Sequence, residues 1–274
     1  MNGLERYAKT ETKRMILIIV IYAIGAFSVP YVKIAELFGG SKVAEFLVGF
    51  VCKSACAILP IYLISELAFK NMFKPQKGFL KGLLLCIPAF IVAIDNFPIL
   101  PQITGYMSIN VQFFEGLAYV LFCLSIGLLE ESIFRGNILP LFMYTFKRNK
   151  RGLFLSVVIS SAIFGAMHLL NLFGGFSAAV FLQVGYSFLI GCTCALAMLM
   201  TGNLLTAVAI HAIFDMGGFL SDYFGSGTLW TTENIILTAV VSLICALALV
   251  IVFFKKDFSD VYENWGLNEL PLQQ

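Results

Sequence analysis

The chain has 274 residues, of which 59% are hydrophobic and 12% charged, with a net charge of +2. Soluble domains carry about 25% charged residues, so this composition excludes an ordinary soluble protein and points to a polytopic membrane protein. The small net charge, with no basic block interleaved with aromatics, excludes a nucleic-acid partner.

In chain order, a window of about 20 apolar residues predicts eight transmembrane helices, at 15–33, 43–68, 79–97, 113–146, 152–173, 177–200, 203–221 and 233–254. The first follows a basic stretch, as a signal peptide would. It runs for most of a bilayer thickness without a small-residue cleavage site, so it reads as a membrane span. The segment 97–111, with Pro98, Pro101 and Gly105, reads as an irregular loop. The fourth span is long enough to tilt or project. No repeat or linker divides the chain, so residues 1–274 form a single transmembrane domain. All seven cysteines fall within predicted spans without metal-type spacing, and act as small apolar fillers. Fourteen lysines and arginines fall on one side of this arrangement, against Lys33 and Lys42 on the other. The positive-inside rule then puts both termini in the cytoplasm, as an even helix count requires. The expected fold class is all-α and polytopic.

Ionisable residues recur inside three of these spans. The fourth carries Glu130, Glu131 and Arg135, the fifth His168, and the seventh His211 and Asp215; the two histidines are the only ones in the chain. Glu131 and Arg135, Phe164 and His168, and His211 and Asp215 are each four residues apart, which places each pair on one helix face. Glu130 and Glu131 project about 100° apart, so Glu131 can pair with Arg135 while Glu130 points elsewhere. Asn149, in the basic turn after the fourth span, lies nineteen residues after Glu130 and nineteen before His168. A helical hairpin folded there brings the two to one depth. Charged residues within a bilayer cost about 2.5–3.5 kcal/mol each on insertion scales. A matched set on three helices therefore marks a functional polar cavity.

A carboxylate and an imidazole at one depth can hold a water and take its proton. His211 is placed to stabilise the resulting oxyanion, with Asp215 one turn away to fix its tautomer. This chemistry suits peptide-bond hydrolysis. Buried acids and histidines also serve as proton relays, so a proton-coupled transporter fits the same residues, as does a membrane immunity or scaffold protein that binds a peptide without cutting it.

The motifs "EESIFR", "FGAMH" and "HAIFD", with the flanks "FRGNILPLF" and "TGNLLTAVAIHAIFD", resemble the signatures of the CAAX-protease and bacteriocin-processing family of intramembrane proteases. The resemblance covers about 113–221, the expected catalytic core. It implies an endopeptidase acting on a membrane-associated peptide or protein, in peptide maturation or bacteriocin self-immunity. Glu130 and His168 would activate water, and His211 and Asp215 would bind the oxyanion. Glu131 and Arg135 would support the site, and Phe164 would line it. The prenyl-processing branch typically has Asn where this chain has Asp215. An ionised Asp cannot donate to an oxyanion, so Asp215 is either protonated or orients His211. The family is often labelled metal-dependent, and Glu130, His168 and His211 could in principle hold zinc. However, no H-E-x-x-H occurs and the histidines lie on separate helices. A cofactor-free, glutamate-based mechanism is expected, with a peptide or membrane-protein substrate and the lipid bilayer as partners. The expected location is a cell membrane, specifically a bacterial inner membrane.

Overall fold

The computed structural model describes residues 3–66 and 71–267; Lys70, one of the fourteen lysines and arginines counted above, lies outside the described residues. The helices are α1 (Gly3–Phe27), α2 (Tyr31–Glu36), α3 (Lys42–Glu66), α4 (Phe79–Leu85), α5 (Ile87–Asp95), α6 (Ile99–Ile103) and α7 (Phe113–Ile133). A π turn (Phe134–Ile138) joins α7 to α8 (Leu139–Thr145). There follow α9 (Lys150–Met167), a 3-10 turn (His168–Gly174), α10 (Ala178–Thr201), α11 (Leu204–Phe224), α12 (Thr232–Lys255) and α13 (Ser259–Asn264). The protein is an all-α polytopic membrane protein, in which seven rather than eight described helices are long and apolar enough to cross a bilayer.

The difference is the third expected span. It is broken into α4 and α5, with Cys86 between them and Pro88 in the first turn of α5. Proline has no N–H to donate back to the preceding turn and its ring crowds that turn's carbonyl, so a continuous helix is interrupted. Of the pair, α4 packs against α10, and α5 against α11 and α12. Gly82 abuts Met200 at the end of α10, and Asn96 Nδ2 donates to Phe214 O at 2.6 Å. The segment 97–111 is also more ordered than a loop. It holds α6 and a strand β1 (Met107–Ile109), antiparallel to β2 (Gly225–Gly227) after α11.

The long span Phe113–Thr145 forms the core. Its most apolar window is 72% buried, against 11% for α12, which therefore lies at the lipid-facing rim. α7 packs along α3 on one side and α11 on another. Close approach to α11 depends on Gly127, where a Cβ would lie 2.9 Å from Val208 O. At the π turn, Pro140 cannot donate to the carbonyl four residues earlier, which loosens the winding. Asn137, fully buried, fills the widened turn: its Nδ2 donates to Ser132 O (2.7 Å) and to Pro60 O of α3 (2.9 Å).

Candidate active site

Three elements meet at the end of α7. The residue Glu131 is fully buried, and its Oε1 accepts a 3.0 Å bond from Arg135 Nη1, one turn along and equally buried. The guanidinium carbon of Arg135 lies 4.6 Å from the centre of the Phe164 ring, which stacks edge-on against Phe134. Room for this buried cation comes from Gly191 of α10, where a Cβ would lie 2.8 Å from Arg135 Nη2.

From α11, His211 Nδ1 lies 2.6 Å from the same Glu131 Oε1. A carboxylate oxygen already neutralised by Arg135 can only accept, so Nδ1 carries the proton. The opposite nitrogen, Nε2, faces Glu130 Oε2 at 3.5 Å and Asp215 Oδ2 at 3.6 Å. Glu131, rather than Asp215, thus orients the imidazole. The adjacent acids of α7 grip opposite edges of one ring, which their angular separation on the helix allows. Tyr119, missed in the sequence reading, braces this part of α11 by donating to Met216 O at 2.6 Å. Its place eleven residues before Glu130 puts both on nearly the same helical face, the one signal that could have found it.

His168 stands at the junction of α9 and the 3-10 turn. It ends α9 rather than lying within it, is half-buried, and its Nδ1 lies 3.3 Å from Phe164 O. Among the described residues no hydrogen bond or ion pair joins it to Glu130. The Phe164 ring links the two imidazoles, with centroids 5.2 Å from His168 and 5.6 Å from His211. Equal residue counts from Asn149 are not a direct measure of depth here, because the π turn and the end of α9 lie between turn and site. The chain after His168 exposes Phe173 and Phe176.

Charge balance constrains the site. Three carboxyl groups (Glu130, Glu131 and Asp215) share one guanidinium, so the cluster reaches neutrality only with two further protons or cations. Burial makes unbalanced charge expensive. An imidazolium at His211 together with one proton shared among the facing carboxyls would close that balance.

Among the described residues the donor atoms that converge, within 4.8 Å, belong to Glu131, Cys194 and His211. Glu131 Oε1 is shared by Arg135 and His211 Nδ1, while its Oε2 is buried without a hydrogen-bond partner, and a divalent cation there would sit beside a buried guanidinium. The third group, Cys194 Sγ, faces Ala207 O at 3.7 Å. The set Glu130, His168 and His211 is not assembled around one point.

The chain's relation to known proteins falls on this same region. The family model described as Type II CAAX prenyl endopeptidase Rce1-like matches residues 112–217, a segment that contains Glu130, Glu131, Arg135, Phe164, His168, His211 and Asp215. No curated protein and no solved structure is matched.

Proposed function

We propose, from the match of residues 112–217 to the family model described as Type II CAAX prenyl endopeptidase Rce1-like, that the protein is an intramembrane endopeptidase acting on a membrane-associated peptide or protein. The observation that carries the reading is His211 held between Glu130 and Glu131, buried beside Asp215.

In this mechanism Glu130 takes a proton from water as the oxygen attacks the scissile carbonyl. The oxyanion forms beside His211 Nε2–H, which the imidazolium form supplies while Nδ1–H stays on Glu131. Asp215 donates to the same oxyanion when it carries the shared proton, which lets an Asp serve where the family's prenyl-processing branch has Asn. Glu130 then returns its proton to the leaving amine. His168, at the edge of the site, assists in holding the attacking water; its Nδ1 toward the Phe164 carbonyl leaves Nε2 as the lone-pair nitrogen of the neutral ring. No metal takes part.

Counting the α4–α5 pair as a crossing, both termini are cytoplasmic, supported by the lysine and arginine bias. We place the protein in a bacterial inner membrane, where peptide maturation or self-protection against a bacteriocin would engage such a site. The test is purified protein in detergent with lipidated and unlipidated peptides, in water enriched in the heavy oxygen isotope. Wild type should yield products with the label in the new carboxylate. Glu130→Gln should fall by about 10²-fold or more. Equal cleavage by both proteins would remove Glu130 from the mechanism.

A further inference from the structure

At the opposite end of α11 from Asp215, a cleft of about 520 Å³ opens between α4, the end of α10, the end of α12 and α13. Four lysines converge on it from two distant parts of the chain: Lys77 and Lys81 around the start of α4, and Lys255 and Lys256 at the end of α12. Of these, Lys77, Lys81 and Lys255 are exposed and pair with no carboxylate among the described residues. Lys256 lies over the Phe258 ring at 4.9 Å and donates to Asp257 O. Two acids also line the cleft, Asp257 and Asp260, leaving the lining with an excess of two positive charges. Asp257 is occupied, accepting from Ser259 N at 3.1 Å and Ser259 Oγ at 2.9 Å, and these bonds hold its carboxyl below the usual range.

The floor of the cleft is built rather than accidental. A helix C-terminus repels anions through its free carbonyls, but Gly202 O at the end of α10 is already capped. It accepts from Gln76 Nε2 at 2.9 Å and from the indole of the fully buried Trp265 at 3.1 Å. Leu85, Leu199, Val252 and Val261 add an apolar wall at the level where α10 and α12 leave the membrane.

We propose that this cleft binds the phosphate of an anionic phospholipid headgroup. A positive-inside bias alone scatters lysines along a membrane surface. Here they converge on a concave site with a capped floor and an apolar side, the arrangement by which clefts between membrane helices retain acidic lipids.

Native mass spectrometry of the full detergent-purified chain tests this with phosphatidylglycerol, phosphatidylcholine of the same acyl chains, and inorganic phosphate. A one-to-one phosphatidylglycerol adduct is expected, weakened about fivefold by Lys81→Gln and again by Lys255→Gln, and unchanged by Lys33→Gln at the other end of the molecule. Equal retention of the two lipids overturns the proposal, as does an adduct indifferent to both cleft substitutions. Displacement of the lipid by millimolar inorganic phosphate overturns the lipid assignment and leaves a site for free phosphate. All these lysines are exposed, so the variants should fold, which a thermal melt checks. Because lipid retention is read directly, the result does not depend on peptide cleavage.

Discussion

Glu131 and His211 are separated by 80 residues and meet at 2.6 Å, on a carboxylate oxygen that Arg135 holds from the π turn just after α7. One buried atom thus joins two helices and fixes an imidazole. This makes Glu131 a structural centre, whereas Glu130, its neighbour in sequence, has no partner in its own helix.

That difference is measurable. Glu131→Gln leaves the Arg135 charge buried without its counter-ion and should destabilise the protein by about 3–5 kcal/mol. Pairing it with Arg135→Met should recover much of the loss. Thermal unfolding in detergent should show both effects, with Glu130→Gln melting close to wild type while losing cleavage.

The two histidines should separate in the same way. His168→Gln removes a half-buried ring with one long contact, so stability should change little while cleavage falls about 10²-fold or more. His211→Gln disturbs the buried Glu131 bond and should lower both. Parallel melting and cleavage measurements distinguish them; a large melting loss for His168→Gln would contradict its placement at the edge of the site.

Gly127→Ala should cost about 1–3 kcal/mol through overpacking, because the new Cβ meets Val208 O at 2.9 Å. By pushing α11 away it should also lower cleavage more than it lowers stability. The check is the rate at a temperature where the variant is fully folded.

Asn137→Ala deprives two buried carbonyls, Ser132 O and Pro60 O, of their donor. A loss of about 1–3 kcal/mol per stranded group is expected. Unfolding by heat or denaturant measures it.

What could be read from sequence was what helical spacing carries. Glu131 and Arg135 are one turn apart, and their bond follows from local geometry whatever surrounds it. The choice of Glu131 as the anchor of His211 does not, because it depends on how closely α7 and α11 approach, and that is set by Gly127. For His168 the spacing carries less: equal residue counts from a turn measure depth only along uninterrupted α-helix. The rise through a π turn differs from that of α-helix, and α9 ends at His168 itself. The break of the third span at Pro88 was visible in the chain, but hydropathy averaged over a window is blind to a missing N–H. Tyr119 and the capped carbonyl of Gly202 depend on contacts between distant segments, which no local pattern encodes.

The bond between Glu131 and Arg135 also bears on how the protein is made. As the ribosome delivers their span to the membrane, His211 has yet to be synthesised, so the acid and base must satisfy each other on their own. Being one turn apart, they can do so while the helix partitions into lipid. The remaining carboxyl, Glu130, gains its neighbours only when α11 arrives, so the reactive centre is completed late in biogenesis, after its scaffold is already in place.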